Sequence, residues 1–175
     1  MPAEPRVRAP AASTGNLIRD SALGRVPETV ELLIKLNDRV WRNPHVSPAL
    51  LEILRLRNAR TVNCVFCKAV RYDVARRDGL TEERAGMVRD GYESSALSER
   101  EKLVIELADE YLGFPAGASP DLMPRLRAAF TEAEIATMFV ALMTFNVASR
   151  TAVSLGGMPE GPLPVTEVTL GTITG

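Results

Sequence analysis

Two cysteines, Cys64 and Cys67, stand three residues apart, and the chain has no others. Positions i and i+3 share one face of a helix, so the two sulfurs can join without the chain unwinding. The segment Asn63-Cys64-Val65-Phe66-Cys67-Lys68-Ala69-Val70-Arg71 predicts a helix from about Cys64 to Arg77, capped by Asn63, with the cysteine pair in its first turn. Free backbone N–H groups and the positive end of the helix dipole favour a thiolate there. Arg71, i+7 from Cys64 and i+4 from Cys67, returns to the same face of such a helix and adds a permanent positive charge. This spacing fits a reactive dithiol, and two buried small residues with no redox role share it. A zinc site would need Cys64, Cys67, His45 and a carboxylate such as Glu52. His45 would have to reach across from a preceding loop, so no metal and no cofactor are expected.

Glu52 precedes Cys64 by 12 residues and sits among Leu51, Ile53 and Leu54. A carboxylate near an apolar face usually pairs with a cation or moves protons. Arg71 is the candidate cation. The bland alternative is an acid complementing the dipole near a Ser47 cap. His45, the single histidine, lies between Pro44 and Ser47-Pro48 and reads as a loop residue. Any scheme needing two histidines from one chain is excluded.

The positioning elements are helical. Pro27 opens an apolar series at Val30, Leu33, Ile34, Val40 and Trp41, which is helical spacing. Ser47-Pro48 is an N-cap followed by proline at the first helical position. Thr81 starts a short helix that Gly91 ends. Ser98-x-x-Glu101 and Thr131-x-x-Glu134 are capping boxes, and Ser119-Pro120 opens another short helix between them. The last helix runs to about Leu155, where Gly156-Gly157 stops it. It is apolar nearly all round and must be covered by its own domain or by a second chain. Six or seven helices and no convincing strand predict an all-α bundle over residues 26–157. A flexible arm (1–25) precedes it and an extended tail (158–175) follows.

The 175 residues carry 21 Lys+Arg against 22 Asp+Glu, a formal charge of -1. That balance argues against a nucleic-acid-binding surface. The N-terminus is rich in Ala, Pro and Arg with no apolar h-region, so a signal peptide is not expected. The charge-free run from Ile135 to Ser149 is shorter than the roughly 20 residues a membrane span needs. The expected location is cytoplasmic, where a CxxC pair is more often redox-active or metal-binding than structural.

Ser47-Pro48-Ala49-Leu50-Leu51-Glu52, Leu54-Arg55 and Cys64-x-x-Cys67 resemble the carboxymuconolactone decarboxylase superfamily, in particular its alkyl hydroperoxidase D-like (AhpD-like) branch. Two further stretches look similar: Leu97 to Lys102, and Phe130 to Ile135 leading to Asn146 and Arg150. The resemblance spans about residues 28–156. It implies an all-α fold, trimers or hexamers (a dimer is the other option), and redox chemistry at the CxxC pair. That branch has a histidine four residues after the second cysteine, and this chain has Arg71 there. Arginine stays protonated and cannot relay a proton by itself. Ser149 stands where many members have Asn.

The expectation is a thiol oxidoreductase cycling a Cys64–Cys67 dithiol and disulfide, with Glu52 and Arg71 assisting. Its substrate would be a hydroperoxide, or a small disulfide or carboxylated compound. A lipoyl or thioredoxin-like dithiol would regenerate it. The other readings are a cofactor-free lyase using Glu52 and Arg71, and a non-enzymatic oligomeric redox sensor.

Overall fold

Ser47 and Pro48 start the helix around which the rest is built. The computed structural model describes residues 4–16, 18–113 and 119–170. The expected arm and tail also include positions 1–3, 17 and 171–175, among them Ile173, which lie outside the described residues. Helices α1 (Pro27–Trp41) and α2 (Pro48–Thr61) lead into α3 (Val65–Ala69), strand β1 (Val70–Tyr72) and α4 (Asp73–Arg77). Then follow α5 (Glu82–Met87), α6 (Glu99–Leu112), α7 (Leu122–Ala129), α8 (Glu132–Leu155) and strand β2 (Thr166–Val168). The fold is all-α, as expected.

Helix α2 is the buried axis. The Ser47 hydroxyl caps it, and Leu51, Ile53, Leu54, Leu56 and Ala59 are wholly buried. It packs against α6, α8, α4 and α3. Both predicted capping boxes form, Ser98 with Glu101 on α6 and Thr131 with Glu134 on α8. Each satisfies two of the N–H groups that a helix start leaves orphaned.

The expectation that α8 is apolar all round and must be covered is met on one side only. Ile135, Met138, Ala141, Leu142 and Phe145 are buried, whereas Val140, Met143 and Val147 are 43–45% exposed in a row along the outer face. By length and composition α8 could cross a bilayer; its inner face packs on α1 and α2.

Two expectations are corrected. The chain does contain strand: β2 pairs in parallel with β1, in the register Val70 to Thr166, Arg71 to Glu167 and Tyr72 to Val168. The tail therefore folds back on its own chain, and Leu170 is buried. The predicted helix from Cys64 to Arg77 is also broken into α3, β1 and α4. In a continuous helix the Cys67 and Lys68 carbonyls would accept from the amides of Arg71 and Tyr72. Here Arg55 Nη1 donates to the Cys67 carbonyl and Arg71 Nη1 to the Lys68 carbonyl, each at 2.7 Å. With its last carbonyls satisfied by side chains, α3 ends after five residues.

The N-terminal segment is held in place by hydrogen bonds. Arg6 and Val7 amides donate to the Leu155 carbonyl, and the Arg25 guanidinium donates to the Arg8 and Ala9 carbonyls.

Candidate active site

The turn from α2 to α3 sets the cysteines. Asn63 adopts a left-handed backbone, with φ of 55°. The Cys64 amide donates to the Ala59 carbonyl and the Asn63 amide to the Arg60 carbonyl, the pairing of a Schellman motif. Asn63 thus terminates α2 instead of capping the next helix. Cys64 itself is the N-cap of α3, its Sγ accepting from the Cys67 amide at 3.2 Å.

Cys64 and Cys67 are joined in a disulfide with a Cα–Cα distance of 5.2 Å. Their surroundings differ. Cys64 is 0% exposed, whereas Cys67 is half-buried and Phe66 between them is 48% exposed. Placement at a helix start would lead one to expect Cys64 to be the open sulfur. The Schellman turn reverses this by tucking Cys64 under α2. A five-residue helix also carries little macrodipole, so the local stabilisation of a Cys64 thiolate comes from the Cys67 N–H.

Glu52 does not pair with Arg71. It is fully buried and accepts two hydrogen bonds from Arg55, from Nε and Nη2, both at 2.7 Å. Arg55 also donates from Nη1 to the Cys67 carbonyl and from Nη2 to the Val70 carbonyl, each at 2.7 Å. One guanidinium therefore ties the buried carboxylate to the backbone on either side of α3's last turn. Burial opposes the Arg55 charge, and Glu52 beside it more than offsets that, leaving its pKa raised. Arg55 is the residue that sequence reasoning missed as a site member. Its signal was present: an Arg three positions after a Glu on one helix.

Tyr72 completes this buried layer. Its ring stacks on Trp41 with centroids 4.1 Å apart, and the Arg55 guanidinium lies 5.5 Å from its centroid. Burial, with the negative charge of Glu52, raises the Tyr72 pKa against the opposing pull of Arg55.

Arg71 is buried on β1 and turned toward α5. Its Nη1 donates to the Lys68 and Val70 carbonyls, and its Nε lies 3.1 Å from Glu82 Oε1. The predicted shared helical face for Cys64, Cys67 and Arg71 does not exist, because the helix ends before Arg71. His45 is exposed, on the loop before α2, and its amide donates to Asn43 Oδ1. It sits at the opposite end of α2, a 14-residue helix about 21 Å long. Among the described residues no group of three or more His, Cys, Asp or Glu side chains could hold a metal ion.

A buried polar chain links α2 to α8. Asn58 Nδ2 donates to Ser149 Oγ at 2.8 Å, Asn146 Nδ2 donates to Asn58 Oδ1 at 2.9 Å, and Ser149 Oγ donates to the Phe145 carbonyl. Ser149 and Asn146, noted in the sequence, act here as helix-to-helix ties.

Comparisons with known proteins bear on the class to which this helical fold belongs. Residues 27–110 match the carboxymuconolactone decarboxylase family. A crystal structure from Agrobacterium tumefaciens superposes with a TM-score of 0.66 at 25% identity, covering 75% of this chain and 90% of that one. That protein is of unknown function, put forward as the antioxidant defence protein AhpD. The helical core of this chain belongs to the carboxymuconolactone decarboxylase superfamily, on its AhpD-like side. An uncharacterized protein of Mycobacterium tuberculosis, present in strains CDC 1551 and H37Rv, is 31% identical over 117 residues. Those residues are 67% of this chain, and the chain spans 41% of the length of these curated relatives.

Proposed function

We propose that the protein is a thiol-dependent oxidoreductase that cycles Cys64 and Cys67 between dithiol and disulfide. The observation that carries this reading is the asymmetry of the pair: a half-buried Cys67 joined to a fully buried Cys64 whose sulfur accepts an amide hydrogen bond. An incoming dithiol attacks Cys67 Sγ in the disulfide, the S–S bond breaks, and Cys64 leaves as a thiolate stabilised by the Cys67 N–H. The second thiol of the reductant then attacks the mixed disulfide. It releases Cys67 and leaves the reductant as a cyclic disulfide. In the oxidising half, the Cys67 thiolate attacks a hydroperoxide oxygen, giving a sulfenic acid and an alcohol. Cys64 then displaces water to restore the disulfide. Two thiols and one hydroperoxide become one disulfide, one alcohol and one water. Lipoyl or thioredoxin-like dithiols fit as reductants, and a disulfide substrate would use the same exchange without the sulfenic acid.

Glu52 and Arg55 hold the pair in position, and Arg71 favours anionic species nearby. The lyase reading requires Glu52 free for proton work beside Arg71. Glu52 is instead sealed by Arg55. The exposed row Val140, Met143 and Val147 on α8 supports working as a homo-oligomer, in which a second copy covers it.

The test is peroxide consumption with dihydrolipoamide as reductant, in wild type, Cys64→Ser and Cys67→Ser. Both variants should lose turnover, and Cys67→Ser should also lose the sulfenic acid that Cys64→Ser still forms. Equal rates in all three proteins would refute the redox reading. Oxidation that changes oligomer mass without any turnover would favour the sensor instead.

A further inference from the structure

Between Ile135 and Ser149, α8 carries no charged residue, although its outer face meets water. The exposed positions from 136 to 150 are Ala136, Val140, Met143, Val147 and Arg150, at successive steps of four, three, four and three. On a helix that faces solvent such a line is ordinarily polar or charged. Here four of its five members are apolar. A step averaging 3.5 residues is the repeat of a seam on which a second helix packs, side chains into holes. From Ala136 to Arg150 the seam is about 21 Å long.

Its ends carry opposite charges. Glu132, in the first turn of α8, and Arg150 are both exposed, and among the described residues neither has an ion-pair partner. They stand 18 residues apart, which is five helical turns, so both lie on the same edge of the seam, about 27 Å from each other. One helix cannot bring them together, but a second copy laid antiparallel can, because a twofold axis across the seam reverses an edge without moving it to the other side. With Val140 opposite Met143 of the second copy, Val147 falls opposite Ala136 and Arg150 opposite Ala133. Large side chains then meet small ones, and the guanidinium of Arg150 reaches Glu132 of the other copy. In a parallel pair Glu132 would instead meet Glu132, and Arg150 would meet Arg150. The antiparallel arrangement also sets opposite ends of the two helix dipoles side by side.

We propose that two copies of this chain pair through α8, antiparallel about a twofold axis, with Val140 and Met143 at the centre and a Glu132–Arg150 ion pair at each end. This gives the second copy invoked above one surface, one orientation and one register. The pairing does not rest on the redox chemistry of the cysteines.

Sedimentation equilibrium of the oxidised protein over a range of concentrations tests this. Wild type should have twice the mass of Val140→Lys, which sets an ammonium against an apolar neighbour at the centre of the seam. Val140 is exposed in the single chain, so circular dichroism of this variant should match wild type. Glu132→Arg and Arg150→Glu each turn two attractions into repulsions and should raise the dissociation constant roughly tenfold or more. Combining the two reversals restores both pairs and should bring it back to within about threefold of wild type. A wild type of one chain, or of an odd number of chains, overturns the proposal, as does an assembly that Val140→Lys leaves intact. Single reversals without effect, or a double reversal no better than either, overturn it too. Should Val140→Lys fail to fold, the charge reversals decide. Because α8 is apolar enough to enter a bilayer, flotation with phosphatidylcholine vesicles is the counter-test, and capture by vesicles in place of pairing overturns the proposal. Failure of the redox reading looks different: the pairing persists while dihydrolipoamide leaves the disulfide unreduced.

Discussion

Replacing Arg55 with Met removes a guanidinium whose side chain is 7% exposed, beneath which Glu52 is fully buried. Four hydrogen bonds of 2.7 Å go with it, two to Glu52 and one each to the Cys67 and Val70 carbonyls. Breaking a buried ion pair from one side costs about 3–5 kcal/mol, because the other charge stays behind without its partner. Two carbonyls deprived of a charged donor add on the order of 1 kcal/mol. The expected loss is therefore about 4–6 kcal/mol, against a typical total stability of about 5–15 kcal/mol. For a chain of this length that lowers the melting temperature by roughly 10–20 °C. The assay is urea unfolding followed by circular dichroism on oxidised protein, for wild type, Arg55→Met, Glu52→Gln and the double variant. Removing both charges should cost less than the sum of the single losses, with a coupling of about 2 kcal/mol or more. A loss below about 1 kcal/mol in Arg55→Met, the range of a solvated surface pair, would refute the reasoning. So would strict additivity of the two single changes.

Reduction of Cys64–Cys67 opens a loop of only four residues, worth about 2 kcal/mol by chain entropy, so the reduced protein should stay folded. Melting curves with and without dithiothreitol check this, and a reduced chain that has lost its helical signal at 25 °C would contradict it. Ser149→Ala should cost about 1–3 kcal/mol, because Asn58 Nδ2 loses its acceptor inside the α2–α8 contact; a change within 0.5 kcal/mol would mean that water replaces the hydroxyl. The Thr131 amide, then its hydroxyl and Arg100, hold the Glu134 carboxyl below its ordinary range. Its folded-state pKa is depressed, so its contribution is present above about pH 5 and is lost as pH falls through the lowered value. Urea midpoints between pH 5 and 2.5 should fall less steeply in Glu134→Gln than in wild type, and parallel slopes would remove Glu134 from the acid response.

What was legible in the sequence is what hydrogen bonds of three or four residues' span decide. Ser47-Pro48, the two capping boxes and the i, i+3 cysteines each carry their instruction within a single turn, so the helix starts and the closable cysteine pair follow from spacing alone. The choice of partners did not follow, because it depends on which groups burial brings together. Glu52 was read toward Arg71, and it binds Arg55 because both lie on the inner face of α2. Arg71 left the cysteine face because α3 ends once side chains from α2 and β1 take its last carbonyls. The β1–β2 ladder joins residues more than ninety positions apart, and no local pattern announces it. The sequence by itself determined the capped helix starts and a cysteine pair close enough to join. The tertiary structure decided which sulfur is open and which cation meets Glu52. Local propensity acts within one turn, whereas the cost of burying a charge is set by whatever the whole fold places beside it.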